Sequence, residues 1–278
     1  MGELTGRTFL ITGANTGIGF ATARALAERG GRVQLACRSR QKGEAAAAQI
    51  AAATDSNLVS VLQLDLADLA SVRVCARAFL ALGEPLHVLI NNAGVGGTPG
   101  LTKDGFEFVF GVNHLGHFAL TMALLDRLTE SKARIVNVAS DAHYQAPGID
   151  FDRLRRRTRG ITGMREYAVS KLCNVLFSQE LARRLAGTGV TSYALHPGVV
   201  ASDIWRRVPR PVRPLVTRRM LTVEQGARTS LYCATAPDAV LTSGAYYDDC
   251  AERAPSPVAT PELAGRLWQH SQEWTQLG

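Results

Sequence analysis

Short runs of apolar residues alternate along the chain with longer stretches in which apolar residues recur at helical spacing. The short runs predict strands at 8–11, 32–37, 58–64, 86–90, 133–139, 190–195 and 244–247. The segments between them predict helices, among them 42–53, an interrupted one over 105–128, one extending to about 186, and those at 222–236 and 261–277. No repeat or polar linker divides this pattern, which therefore predicts one α/β domain over residues 1–278, with a parallel sheet of about seven strands.

A glycine-rich turn follows the first predicted strand and precedes a helical pattern. Its glycines have the spacing Gly-x3-Gly-x-Gly, a variant of the dinucleotide fingerprint that opens the first βα unit of a doubly wound sheet. Glycine permits a sharp turn and the close approach of a ligand, and the first N–H groups of the helix point outward at its positive end. A plain strand-to-helix turn is the alternative. The flanking strand and helix favour a phosphate site built by Gly13, Asn15, Thr16, Gly17, Ile18 and Gly19.

The residue after the second predicted strand bears on the choice of cofactor. An acidic residue at this place holds the ribose hydroxyl of NAD, whereas an arginine accommodates the 2′-phosphate of NADP. Arg38 occupies the position, with no acidic residue next to it. We therefore predict a preference for NADP(H) over NAD(H), unless Arg38 is merely a surface charge. Lys42 is either a second cation for the phosphate or an ordinary helix-surface lysine.

Two further strand ends supply candidate cofactor contacts, because the carboxyl ends of parallel strands face the ligand crevice. Asp65 and Leu66 follow the third predicted strand. The Asp65 carboxylate either accepts a hydrogen bond from the adenine amine or caps the helix that begins near Asp68. Asn-Asn-Ala-Gly follows the fourth predicted strand, and small residues there let the backbone lie close to a cofactor. The candidates are Asn92, Ala93 and Gly94.

Candidate reacting groups come after the fifth predicted strand. Ser140 stands at its carboxyl end, and Tyr167 and Lys171 lie four residues apart on one face of the next helix. A phenol with a pKa of about 10 is a poor acid–base catalyst at neutral pH, but a nearby ammonium favours the phenolate and lowers that pKa. The spacing thus predicts a tuned proton donor. Asn113 is a further candidate, because asparagine is unfavourable in the middle of a helix.

Histidine spacing and cysteine usage do not predict a metal site. His114 and His117 are three residues apart but lack an evident third ligand, so we interpret both as packing or hydrogen-bonded residues. The five cysteines are scattered without a Cys-x-x-Cys pair, which argues against zinc and disulfides and favours a reducing, cytoplasmic setting. No signal peptide and no apolar stretch of about 18 residues is recognisable, so we expect no transmembrane segment.

The formal net charge of +7 is concentrated in two arginine runs, at 153–159 and 206–219, without which it would be negative. Two interpretations are open for these runs. They form either a solvated face or a peripheral contact with an anionic membrane surface or an acidic partner. Nucleic acid is not a predicted partner, because no DNA-binding or RNA-binding signature accompanies the charge.

Taken together, the glycine turn, Asn-Asn-Ala-Gly, Asn113, Ser140 and Tyr-x-x-x-Lys resemble the short-chain dehydrogenase/reductase family over nearly the whole chain. The resemblance implies a single-domain Rossmann fold and hydride transfer with a nicotinamide cofactor. It implies that Tyr167 is the general acid–base, that Lys171 lowers its pKa and holds the nicotinamide ribose, and that Ser140 hydrogen-bonds the substrate oxygen. Asn113 would position a water that links Lys171 to solvent.

His-Pro-Gly-Val-Val at 196–200 is similar to the Pro-Gly turn of the family. The similarity implies cofactor contacts from Pro197 and Gly198, with the backbone near Val200 holding the carboxamide. Ser202 occupies a position where many relatives have threonine, and its hydroxyl can make the same hydrogen bond. Residues 203–220, which are rich in proline, lie where such enzymes place a substrate lid, and an ordinary exposed loop is the alternative.

Several phrases are similar to the retinol dehydrogenase group in particular, among them Leu-Ala-Cys-Arg, Gly-Val-Asn-His-Leu-Gly-His-Phe and Leu-His-Pro-Gly-Val-Val. This similarity implies NADP(H)-dependent interconversion of a hydrophobic alcohol and its aldehyde or ketone, with reduction favoured. Vertebrate members carry an amino-terminal membrane anchor that is missing here, which suggests a soluble, bacterial-type relative. A homo-oligomer is expected, because relatives often pair through the Tyr-Lys helix. The rival functions are a steroid or quinone reductase and a non-catalytic NADP(H)-binding sensor.

Overall fold

The computed structural model describes residues 2–158, 162–200 and 221–276. The strands form one eight-stranded sheet in the order β3-β2-β1-β4-β5-β6-β7-β8. They are β1 (Thr8–Thr12), β2 (Arg32–Cys37), β3 (Val59–Gln63), β4 (Val88–Asn91), β5 (Arg134–Val138), β6 (Thr191–His196), β7 (Tyr246–Asp248) and β8 (Ala251–Arg253). The strands β1 to β7 pair in parallel, which confirms the predicted sheet, and β8 is antiparallel to β7. The exposed sequence Ala-Glu-Arg of β8 has no apolar pattern from which a strand could be predicted.

Helices connect the strands and cover the sheet. They are α1 (Gly17–Glu28), α2 (Arg40–Thr54), α3 (Leu69–Leu80), α4 (Phe108–Phe110), α5 (Gly116–Ala123), α6 (Leu125–Glu130), α7 (Met164–Arg184), α8 (Val223–Thr235) and α9 (Pro261–Thr275). The predicted interruption of the helix over 105–128 is confirmed, because a π-helical turn, Gly111–Leu115, joins α4 to α5. Short 3-10 helices at Asp141–Gln145 and Phe151–Arg155 lie between β5 and α7.

Apolar side chains pack on both faces of the sheet. In β1, Leu10 belongs to one buried cluster, whereas its neighbours Phe9 and Ile11 belong to another, as expected for side chains that alternate along a strand. The first cluster includes Phe79 of α3 and residues of α5, α7 and α9, and the second includes Leu26 of α1 and residues of α2 and α8. The described residues therefore form a single-domain, doubly wound Rossmann fold.

The position of the site follows from the order of the strands. The chain leaves β1 toward β2 and β3 on one side and later returns to β4 on the other. In the doubly wound fold, ligands bind outside the carboxyl ends of the strands at such a reversal. The segments that follow β1, β4 and β5 meet at this edge, so the glycine turn, Asn92 and Ser140 share one crevice. Within the described residues, no helix is both long and apolar enough to cross a membrane.

Candidate active site

The glycine turn is packed tightly against the end of β4. A Cβ added to Gly13 would lie 2.9 Å from the Cα of Ala93, and one added to Gly19 would lie 2.5 Å from the Nδ2 of Asn92. Gly17 begins α1 with a φ of +58°, and nothing lies within 4 Å of its Cβ position. Gly13 and Gly19 therefore allow two strand ends to touch, whereas Gly17 leaves open space at the amino end of α1.

The buried hydroxyl of Thr12 joins the turn to the end of β4. Its Oγ1 accepts hydrogen bonds from the backbone N–H groups of Asn92 and Ala93, both at 2.9 Å, and lies 2.8 Å from Nε2 of His117. The two N–H groups occupy both lone pairs of the hydroxyl, so its proton is donated to His117. The other ring nitrogen of His117 donates to the carbonyl oxygen of Asn113 at 2.9 Å. Burial lowers the pKa of His117 to about 4, so this ring is neutral at pH 7.

Asn113 lies in the π-helical turn and is fully buried. Its Oδ1 accepts from the N–H of Val95 at 2.8 Å, and its Nδ2 donates to the Val95 carbonyl at 3.0 Å and to Ser170 Oγ at 2.9 Å. Ser170 in turn donates to the carbonyl of Tyr167. A π-helical turn is a frequent feature of functional sites. Here it positions the Asn113 side chain so that it contacts both Val95, in the loop after β4, and Ser170 on α7.

Lys171 is a buried ammonium, with 3% of the residue exposed. Its Nζ donates to the carbonyl oxygen of Val138, at the end of β5, at 2.8 Å and lies 5.6 Å from the centroid of the Tyr167 ring. Burial lowers the pKa of Lys171 to about 8. A Cβ added to Gly94 would lie 3.5 Å from Nζ, so the loop after β4 passes close to this ammonium because it carries no side chain there.

Tyr167 lies beside Ser140, whose hydroxyl acts to lower the pKa of the phenol. The sequence predicts these two residues as proton donor and substrate contact. The Ser140 hydroxyl also accepts from the N–H of Ala142 at 3.2 Å and donates to Oδ1 of Asp141 at 3.2 Å. Burial raises the pKa of Tyr167, and this effect outweighs the lowering by the Ser140 hydroxyl. The expectation that this pKa is drawn down is therefore wrong for the protein without ligands, in which Lys171 is not among the groups that shift it.

The remaining predicted cofactor contacts line the same edge of the sheet. Arg38 follows β2 directly, is exposed and forms no ion pair within the described residues. Asp65 does not cap α3, because Asp68 does so by accepting from the N–H groups of Ala70 and Ser71. The Asp65 carboxylate accepts instead from the N–H of Ala67 at 3.0 Å. Leu66 is buried beside it.

The Pro-Gly turn after β6 is described as far as Val200. Gly198 has a φ of +82°, and a Cβ there would lie 2.4 Å from Cδ1 of Leu221. Val200 is buried and pairs with Leu221 in an isolated parallel bridge. Pro197, Gly198 and Val200 are thus held beside the amino end of α8. The predicted contact Ser202, the predicted lid at 203–220 and the second arginine run lie outside the described residues.

The chain was compared with known proteins. A family model described as short chain dehydrogenase matches residues 7–150, more than half of the chain. The chain belongs to this family. Human retinol dehydrogenase 12 is 49% identical over 282 residues, which cover 98% of the chain and 87% of that protein. Human retinol dehydrogenase 13 is 45% identical over 279 residues, which cover 96% of the chain and 84% of that protein.

Two solved structures agree with the fold. An uncharacterized protein from Mycobacterium paratuberculosis is 36% identical, with a TM-score of 0.79 over 100% of the chain and 98% of that protein. The 3-ketoacyl-(acyl-carrier-protein) reductase of Brucella melitensis, solved with NADH, has a TM-score of 0.70 at 22% identity and supports the fold alone. The chain is therefore a retinol dehydrogenase-like member of a family of oxidoreductases that bind a nicotinamide cofactor.

The two histidines of the interrupted helix have the packing and hydrogen-bonding roles predicted for them. His114 Nε2 is 3.1 Å from Ser271 Oγ, and His117 contacts Thr12 and Asn113. Among the described residues, no group of three or more candidate ligands is placed to hold a metal ion. In the first arginine run, Arg153 pairs with Asp150 at 3.8 Å, and the side chains of Arg155, Arg156 and Arg157 are exposed.

Sequence reasoning missed three residues that organise the site, namely Thr12, His143 and His196. His143 lies 2.7 Å from the carbonyl oxygen of Ser140, and His196 lies 3.3 Å from the N–H of Asp141. The available signal was a set of polar residues inside otherwise apolar segments, such as Leu-His-Pro at the end of β6. A pattern of this kind indicates a buried polar group, but it does not say which partner satisfies it.

Proposed function

We propose that the chain is an NADP(H)-dependent oxidoreductase that interconverts a hydrophobic alcohol and its aldehyde or ketone, with carbonyl reduction favoured. The observation that carries the proposal is that the Tyr167 phenol lies beside the Ser140 hydroxyl, with the buried ammonium of Lys171 5.6 Å from the centroid of the phenol ring. A protein that only binds the cofactor does not need a proton donor, a hydroxyl and a buried cation close to one another. The similarity to proteins named retinol dehydrogenases supports a hydrophobic substrate.

The residues present fit a nicotinamide dinucleotide. The open space at Gly17 suits a pyrophosphate at the positive end of α1, and Gly94 keeps the approach to Lys171 free for a nicotinamide ribose. Arg38 offers an exposed guanidinium for a 2′-phosphate. The other proposed contacts are the glycine turn at 13–19, Asp65 and Leu66 toward the adenine, Asn92 and Ala93, and Pro197, Gly198, Val200 and Ser202 toward the carboxamide.

In the proposed reduction the cofactor supplies the hydride, and the protein supplies the proton and the geometry. Because burial raises the pKa of Tyr167, its phenol is protonated at neutral pH and can donate that proton to the carbonyl oxygen. The Ser140 hydroxyl turns from Asp141 to the same oxygen, since it has one proton to donate. The Lys171 ammonium then stabilises the phenolate until solvent returns a proton.

The first experiment measures NADPH consumption by the purified protein with retinal, aliphatic aldehydes, steroids and quinones. The same panel is run with NADH and with the Tyr167→Phe variant. We expect NADPH-dependent turnover of hydrophobic aldehydes, at least about 100-fold slower in the variant, which keeps its NADPH affinity. Tight NADPH binding without turnover on any compound, or equal turnover in Tyr167→Phe, would contradict the proposal and favour a sensor.

We also propose that the protein acts in the cytoplasm as a homo-oligomer, with peripheral contact to membranes that hold its substrate. The proposed pairing is through α7, and the arginine run at 153–159 is the proposed membrane contact. Light scattering on the purified protein tests the first statement. Sedimentation with vesicles of anionic or neutral lipid tests the second, and loss of binding at high salt is expected.

A further inference from the structure

The peptide bond between Ser140 and Asp141 is hydrogen-bonded on both of its polar groups by histidine rings. Nδ1 of His143 lies 2.7 Å from the carbonyl oxygen, and Nδ1 of His196 lies 3.3 Å from the N–H. His143 belongs to the 3-10 helix after β5, and His196 is the last residue of β6, so the two contacts come from separate elements. We propose that His143 and His196 are positioning residues that fix the Ser140 hydroxyl, and that His196 does so only while its ring is uncharged.

The tautomer of His143 follows from its backbone partners. The N–H of Ser256 points at Nε2 of His143 at 3.0 Å, and an N–H can only donate. Nε2 therefore carries no proton, and Nδ1 carries the proton that it donates to the carbonyl of Ser140. A second proton on this fully buried ring would face the Ser256 N–H and break that contact.

His196 is fixed in the opposite tautomer. Its Nδ1 accepts from the N–H of Asp141, so the proton of the neutral ring is on Nε2. Nε2 lies 3.9 Å from Oδ2 of Asp141, too far for a hydrogen bond. Protonation of Nδ1 would therefore cost the contact with the Asp141 N–H and leave the serine peptide held from one side only.

The contacts of His143 and His196 with the Ser140–Asp141 peptide, here called the clamp, act on the direction of the Ser140 hydroxyl. Ser140 continues the extended backbone of β5, with φ −172° and ψ 156°, and the chain turns immediately afterwards into the 3-10 helix. A rotation of the Ser140–Asp141 peptide would change ψ of Ser140 and move its Oγ relative to Tyr167. The contacts on both polar groups of this peptide oppose that rotation. The hydrogen bond that Oγ accepts from the N–H of Ala142 adds a further restraint. Small displacements of a reacting group lower the rate substantially.

Charged and titratable groups surround both rings. His143 faces Asp141, Arg253 and His196, and its ring packs against Tyr144 and Tyr246. His196 faces Asp141 and Asp248, which favour its protonated form, and Arg253 and Lys171, which oppose it. Burial is the largest effect for both histidines and lowers their pKa values below the usual 6.5. Both contacts are therefore present at neutral pH, and the contact from His196 is lost as the pH falls through the lowered pKa of that ring, whereas Nδ1 of a charged His143 still donates to the Ser140 carbonyl.

The kinetic test, which rests on the proposed function, uses matched substitutions. In His143→Asn the amide Nδ2 replaces Nδ1 of His143 as the donor to the Ser140 carbonyl. In His196→Asn the amide oxygen replaces Nδ1 of His196 as the acceptor from the Asp141 N–H. Leucine at either position removes the contact.

We expect kcat for the aldehyde to fall about 10- to 100-fold in the leucine variants, with the KM for NADPH within about 2-fold of wild type. The asparagine variants restore most of kcat, and His196→Asn also lacks the acid limb that His196 contributes. His270→Leu, a change of the partly exposed histidine on α9, is the control.

A second measurement does not depend on turnover. In protein labelled with ¹⁵N in the histidine rings, long-range proton–nitrogen correlation spectra report the tautomer of each ring. At pH 7 we expect protonated Nδ1 in His143 and protonated Nε2 in His196. A charged ring, the opposite tautomers, or leucine variants with unchanged kcat would overturn the clamp. If instead the wild type lacks turnover, the proposed function fails, while the spectra still decide whether the clamp exists.

Discussion

Lys171 donates to the carbonyl oxygen of Val138 at 2.8 Å, which places a buried ammonium at the end of β5 and one helical turn from Tyr167. Asn174 donates to the same carbonyl at 3.2 Å. The carbonyl therefore keeps a partner when the lysine is removed. This pair of contacts makes it possible to separate what Lys171 does for the reaction from what it costs the fold.

We predict that Lys171→Met is less active but more stable than wild type at pH 7. Burial lowers the pKa of Lys171 to about 8, whereas an unfolded lysine titrates near 10.5. Below pH 8 the native state holds the ammonium at a cost of up to about 3 kcal/mol, and this cost disappears as the pH rises from 8 to 10.5. Urea unfolding of both proteins at pH 7 and pH 10 measures the difference. A gap that is equal at the two pH values would contradict the prediction, and the exposed Lys42→Met is the control.

Thr12→Val should destabilise the protein by about 2–4 kcal/mol, because it leaves the N–H groups of Asn92 and Ala93 and the ring of His117 without their partner. Valine has nearly the same shape, so packing is not the cause. Thr12→Ser keeps the hydroxyl and is expected to lose less than about 1.5 kcal/mol. Chemical unfolding of the three proteins checks this ranking, and equal losses in both variants would argue against the hydrogen-bonding role.

Gly19→Ala should weaken NADPH binding by about 10-fold or more and lower stability by about 1–3 kcal/mol. A Cβ at this position would lie 2.5 Å from Asn92 Nδ2 and 2.7 Å from the carbonyl of Gly13, so the turn must shift. The matched control is Gly265→Ala in α9, where nothing lies within 4 Å of the added carbon. That change should stabilise by about 0.5–1 kcal/mol. Fluorescence titration with NADPH and thermal unfolding measure both effects.

Arg38→Asp should reverse the preference between NADPH and NADH. The aspartate repels a 2′-phosphate and can accept hydrogen bonds from a free ribose hydroxyl, so we expect NADPH affinity to fall by about 100-fold and NADH affinity to rise. Binding constants for both cofactors in wild type and variant give the answer. If their ratio is the same in the two proteins, Arg38 is only a surface charge.

The fold was largely predictable because the central strands are short, mainly apolar runs. The strands β1, β4 and β5 are wholly buried, and only the first residue of β2 and of β6 is partly exposed. The predicted bounds of β2 agree with the structure at both ends, and the ends of β4 and β5 differ by only one or two residues. The predicted candidates Ser140 and Tyr167 come together at the end of β5. Ser140 lies two residues after this strand, and Lys171, one turn along α7 from Tyr167, donates to the carbonyl of its last residue, Val138. Their chemical roles, like those of the cofactor contacts, stay predictions.

The electrostatics of the site were less predictable. The spacing of Tyr167 and Lys171 shows a cation one turn away, which suggests a lowered phenol pKa, whereas burial of the phenol raises it. Burial depends on elements distant in the sequence and is not visible in a four-residue spacing. The partners of Thr12 are 80, 81 and 105 residues away, so its role also depended on the folded structure.

Ser256 contacts His143 across a separation of 113 residues in the sequence. Next to it, the hydroxyl of Tyr144 donates to the carbonyl of Ala254. The segment after β5 that carries Ser140 is thus tied to a segment that follows all eight strands in the sequence. A nascent chain can assemble β1 to β5 and the glycine turn early, but it cannot complete these bonds until the segment after β8 has been synthesised. The contact between His143 and the Ser256 N–H is therefore among the later ones to form during translation.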